Sequence, residues 1–65
     1  MKYEAGDVLA MRGHPDEKRK VLRVAKVISR GKAVDLYILE SFDKEPYYDA
    51  MTEQSVGWLF EGVQR

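Results

Sequence analysis

The chain has no cysteine, one histidine, two prolines and no long apolar run. Each shortage removes a class of answer. Without cysteine there are no disulfide staples and no thiolate metal sites, which also fits a reducing compartment. A lone His14 rules out a metal site built from several histidines. The apolar runs are only a few residues long, against the roughly 20 that a membrane-spanning helix needs. The opening Met-Lys-Tyr-Glu-Ala-Gly-Asp has no apolar stretch behind its lysine, so it does not read as a secretory leader. The expectation is a soluble, cytoplasmic protein with no membrane partner.

Sixty-five residues make one domain at most, so residues 1–65 are read as a single unit. A domain this small buries only about 60% of the surface its unfolded chain exposes. With no covalent staple, self-association is one source of further burial. The formal net charge is zero, but the signs are unevenly spread. Residues 1–32 hold nine Lys/Arg against four Asp/Glu, and residues 33–65 hold two against seven. Strands from the two halves can interleave and cross-pair their charges. A basic face can instead meet an anion, or the basic face of one copy can dock on the acidic face of another.

What is present is strand-like. "GDVLAM" is a turn signal followed by an apolar run at Val8–Met11. "GHPDEKRK" reads as turn formers and then a charged, solvated loop. "KVLRVAKVIS" is rich in β-branched residues, with three valines and one isoleucine, which favours strand over helix. Arg30-Gly31-Lys32 reads as a hairpin turn with Gly31 at positive φ. "AVDLYILESF" then alternates with period two: Val34, Leu36 and Ile38 lie on one face and Tyr37 and Leu39 on the other. Residues 21–29 and 33–41 therefore form a central hairpin. "YYDAMT" reads as a fourth strand whose two tyrosines face apart. "TEQS" reads as a polar turn or one 3₁₀ turn. "VGWLFEGV" reads as a last strand with Val56, Trp58 and Phe60 on one face. Five short strands in an all-β chain are most economically arranged as a small closed or partly open barrel, because closure removes edges.

The pattern resembles the SH3-like small barrels, in the broad sense that includes Tudor, chromo-barrel and bacterial SH3 domains. "GDVLAM" looks like their Gly-Asp opening strand. "KVLRVAKVI" with "VDLYIL" is similar to their central strand pair, and "VGWLFEGV" to the Gly-Trp-aliphatic final strand of bacterial SH3 domains. The resemblance spans most of the chain and implies a five-stranded SH3-like barrel. Its functional residues do not carry over. The first loop, "RGHPDEKRK", has neither the aromatic wall of a methyl-cation cage nor the acidic tyrosines of a proline-binding site. A plasmid-type dihydrofolate reductase also uses a small barrel, but its Val-Gln-Ile-Tyr motif has no counterpart here.

No catalytic constellation is visible. His14 stands between Gly13 and Pro15 and reads as a surface loop residue. Asp35, Glu40, Asp43, Glu45 and Asp49 match no calcium-loop spacing and read as solvated faces and turns. The sequence therefore predicts no enzyme activity, no cofactor and no metal site. The main functional expectation is a binding or assembly module contacting a protein partner or a second copy of itself. Trp58 and Phe60 are assigned to burial in the core or an interface. Tyr37 and Leu39 are expected to point outward from the central strand and to form a contact surface with one of Tyr47 and Tyr48. The alternative expectation is nucleic-acid binding through Arg12, Lys18, Arg19, Lys20, Arg23 and Lys26. A sequence pI near 6.6 weighs against a dedicated nucleic-acid binder.

Overall fold

The computed structural model describes residues 3–64, with backbone only at 63 and 64. Its elements are β1 (Val8–Met11), β2 (His14–Ser29), β3 (Lys32–Ser41), β4 (Tyr48–Thr52), a helix α1 (Glu53–Leu59) and β5 (Phe60–Gln64). The strands form one antiparallel sheet in the order β4-β3-β2-β1-β5. The chain is thus all-β in class, with five strands as expected. β4 and β5 are the two edges, so no ladder between them closes the sheet, and α1 is the segment that joins them.

The long strand β2 organises everything else. Its first part pairs with β1, from His14 opposite Met11 to Lys20 opposite Val8. Its second part pairs with β3, from Arg19 opposite Ser41 to Ser29 opposite Lys32. Near the junction the register shifts between Val21 and Arg23, leaving Leu22 as an extra residue. A bulge bends and twists its strand, so β2 serves two wings, one with β1 and β5 and the other with β3 and β4.

Two turns follow from backbone chemistry. Arg30 and Gly31 both have positive φ, 52° and 77°, between the paired Ser29 and Lys32. That is the two-residue hairpin turn whose twist matches the flanking strands. Gly31 takes the conformation freely, whereas Arg30 is held in it. The other hairpin is tighter than the sequence suggests. The turn is Arg12-Gly13, and the expected loop over residues 13–20 is part of β2. The register jumps from His14 opposite Met11 to Lys18 opposite Ala10, so residues 15–17 have no β1 partner. Pro15, which has no N–H to give a ladder, sits in that gap.

The core gathers Tyr3, Leu9, Val21, Tyr37, Leu39, Val56 and Phe60, with Met11, Val24 and Met51 packed against it. The expected outward direction of Tyr37 and Leu39 is corrected: both are 0% exposed. The alternation of β3 is real, but both of its faces are apolar, and the larger pair of side chains went inward. Tyr37 meets Tyr3 edge-to-face, with ring centroids 5.3 Å apart, and its hydroxyl donates to Glu53 Oε1 at 3.2 Å. The polar tip of a buried ring thereby reaches a partner at the surface.

The expected final strand over residues 56–63 is also corrected. Residues 56–59 are helical, and only Phe60 onward is strand. Thr52 is the N-cap, its Oγ1 accepting from the Ser55 N–H at 3.3 Å, and Glu53 adds a favourable charge in the first turn. Val56 and Phe60, four residues apart, both enter the core. Trp58 falls on the opposite side of the helix and is 69% exposed, so it is not a core residue.

Candidate contact surface

With Tyr37 and Leu39 turned inward, the outer face of the β2–β3–β4 wing is set by the residues between them. Directly opposed residues share a face, so the register gives its rows. Lys20, Glu40 and Tyr48 form the first row. Arg23, Ile38 and Ala50 form the second, then Ala25, Leu36 and Thr52, and finally Val27 and Val34. One end of this face is charged and the other apolar. Among the described residues no element packs over it: α1 contacts β3, β4 and β5, and its Val56 is buried in the core on the other side. Val34, Leu36 and Ile38 are half-buried, and Val27 is exposed.

The hairpin of β2 and β3 also projects as an arm. The molecule measures 37 Å along its longest axis against 18 Å along its shortest. Ile28, close to the turn, is 76% exposed, and residues 28–33 are exposed throughout. The inner side of the arm carries a Lys26–Asp35 ion pair at 3.2 Å, on partly exposed side chains. Such a pair contributes about 0–1 kcal/mol. Beside it lies an open cleft lined by Ala33, Val34, Asp35, Thr52, Glu53 and Gln54.

Tyr48 stands at the charged end of the outer face. Hydrogen bonding to Glu40 raises its phenol pKa above the ordinary 10.0, and repulsion by the same carboxylate adds to the shift. The neutral phenol donates to Glu40, and the phenolate is repelled by it. A folded-state pKa above the unfolded one gives a contribution that is complete below the unfolded value and is lost as pH rises through the folded value. Glu40→Gln is therefore expected to bring the Tyr48 titration back down toward the ordinary value. Ultraviolet difference titration would detect this, and an unmoved Tyr48 titration would refute the pairing.

The other sequence-proposed contact residues are scattered. Tyr47 precedes β4 and lies on the far side from Tyr48, under Arg19. The Arg19 guanidinium is 4.9 Å from the Tyr47 ring centroid and donates to its hydroxyl. It also donates to the Lys18 carbonyl at 2.8 Å and to Glu17 at 3.4 Å. Arg19 is buried, so its charge is committed to the fold. The loop after β3 is pinned in the same place, where Ser41 Oγ accepts from the Tyr47 N–H at 3.0 Å.

The six basic residues do not converge on one patch. Arg12 caps α1: its Nε and Nη2 donate to the Gly57 carbonyl at 3.3 and 3.0 Å, and its backbone N–H donates to Leu59 O at 2.8 Å. A cation there satisfies orphan carbonyls and opposes the negative end of the helix. Lys26 is paired with Asp35, Arg19 is buried, and Lys18 is half-buried on the strand segment facing β1. Only Lys20 and Arg23 lie exposed on the outer face. His14 is exposed at the start of β2. Asp43 and Glu45 lie exposed in the loop after β3, while Asp49 is half-buried on β4. Among the described residues, no three His, Cys, Asp or Glu side chains gather where a metal ion could bind.

The outer-face stripe was open to sequence reasoning. Val34, Leu36 and Ile38 formed one clear period-two set, and the only error lay in which set faced inward. The capping role of Arg12 had no sequence signal, because the Gly57 carbonyl it reaches is 45 residues away. Among the described residues, no helix is long and apolar enough to cross a membrane. No protein-family model matches the chain, and neither a curated protein nor a solved structure matches it.

Proposed function

We propose that the chain is a non-enzymatic assembly module of SH3-like type that binds a protein surface, of another chain or of its own copy, through the outer face of β2, β3 and β4. One observation carries the reading: Ala25, Val27, Val34, Leu36 and Ile38 on the central hairpin, with Ala50 beside them on β4, form an apolar stripe that no described element covers. An apolar patch with a charged rim is the usual form of a contact site. The strand order, with a short helix between β4 and β5, supports the SH3-like reading. A photo-crosslinking residue at position 27 is expected to capture a protein chain, whereas the same residue at position 44, in the exposed loop after β3, is not. Failure to capture any protein from position 27 would overturn the proposal.

A second reading rests on Lys20, Arg23 and Tyr48, which share the exposed face. Cations beside an exposed ring suit a nucleic-acid strand. Glu40 between them weakens that field, so protein contact is preferred. Nucleic-acid binding would appear as an oligonucleotide anisotropy change that falls steeply with salt, and none at low salt would remove this reading.

A further inference from the structure

We infer, resting on the protein-contact reading above, that the occupant of the outer face is a second copy of this chain, docked about a twofold axis parallel to the strands and lying between β2 and β3. The face is self-complementary about that axis and not about the alternative. A half-turn about an axis along the strands keeps every level and exchanges β2 with β3. Lys20 of one copy then comes over Glu40 of the other, Arg23 over Ile38, Ala25 over Leu36 and Val27 over Val34. Arg23 lies one row from Glu40 and reaches the same carboxylate. Opposite charges meet at one end and aliphatic side chains at the other, twice over by symmetry. A half-turn about an axis across the strands reverses the levels. It would set the row of Lys20 and Glu40 against Val27 and Val34, leaving charges buried without partners.

The small size of the face places it among weak, transient contacts. Two overlapping strands about 4.8 Å apart and some eight residues at about 3.3 Å each give a footprint of about 250 Å² per copy. That lies below the roughly 800 Å² per partner of a standard specific interface, so the dimer is weak and concentration-dependent. Face-to-face sheets cross at about −30°, an offset that the long Lys20, Arg23 and Glu40 side chains can span. The exposed arm lets Val27 and Val34 reach a partner without rearrangement of the core.

The test uses the whole chain and sedimentation over a range from about 5 to about 500 μM, which brackets a weak interface of this size. The expected result is a mass that doubles with concentration. Val27→Arg should hold the chain monomeric, with far-UV circular dichroism unchanged because Val27 is already solvent-facing. Lys20→Glu and Glu40→Lys should each weaken the dimer by about tenfold or more, since each sets like charges against each other. Mixing those two variants should recover association. Each variant chain keeps a like-charge pair within itself, so recovery can come only from contacts between copies. Lys44→Glu and Glu45→Lys make the same net charges in a distant loop, and each should dimerise unmixed.

A monomer at every concentration, a dimer indifferent to Val27→Arg, or no recovery on mixing would each overturn the inference. If the chain stays monomeric while position 27 crosslinks to a different protein, the self-docking inference fails and the contact-module reading stands. If position 27 crosslinks to nothing, both fail.

Discussion

Tyr37→Ala is expected to destabilise the fold by about 3–5 kcal/mol, the usual cost of removing a buried aromatic ring. A domain of this length has a total stability of about 3–10 kcal/mol at roughly 0.05–0.15 kcal/mol per residue, so much of the variant would be unfolded at room temperature. The argument rests on position. Tyr37 lies in the middle of β3, is fully buried, and is flanked across the strands by Val24 and Met51. Its ring also supports Tyr3, and its hydroxyl reaches Glu53 in the first turn of α1. One side chain therefore ties the central hairpin to the helix and to the segment before β1. Tyr37→Phe separates the two roles. It keeps the ring and loses the hydrogen bond, at about 0.5–1.5 kcal/mol, because Glu53 is exposed and water replaces the phenol. Urea unfolding followed by circular dichroism measures both. A Tyr37→Ala midpoint close to that of the unaltered chain would mean that Tyr37 faces solvent, as the sequence pattern suggests.

That conflict shows where sequence reasoning stops for this chain. The central hairpin was legible because its signals are local: β-branched runs on either side of Arg30-Gly31. Which face of it turns inward was not, because a period-two pattern with apolar residues on both faces has no preferred side. The choice is made by distant partners, namely Tyr3, Leu9, Val56 and Phe60, which all meet the side that carries Tyr37. The strand character of residues 14–20 was hidden for a related reason. Turn-forming and charged residues read as loop, but the segment is paired with β1 at its start and end, and its poor strand formers fall in the unpaired stretch between. Of the candidate surface, the sequence showed the pattern and not its direction. Tyr47 and Tyr48 are both exposed while Tyr37, expected beside one of them, is buried, and the stripe of Val34, Leu36 and Ile38 was visible as a pattern but read as the inward face. Tyr47 is exposed yet held by Arg19, a pairing between residues 28 apart that no local signal announces.

The second large effect is expected at Phe60, and its contrast with Trp58 tests the helix. Phe60→Ala should cost about 3–5 kcal/mol, since the side chain is buried beside Val56 and anchors the return from α1 into β5. Trp58→Ala should change stability by no more than about 0.5 kcal/mol, despite removing the larger ring. The reversal follows from geometry. In an extended chain, positions 56, 58 and 60 point the same way and all three would be core. In a helix, positions 56 and 60 coincide and position 58 points away. Val56 accepts a hydrogen bond from the Phe60 N–H, and Thr52 caps the start of the turn, so the helical geometry is fixed at both ends. Trp58 fluorescence gives an independent check, because an exposed indole should be quenched by acrylamide almost as readily in the folded chain as in urea. A shielded indole, together with a costly Trp58→Ala, would mean that residues 56–60 are extended. The core would then be closed by the tryptophan instead of by Phe60.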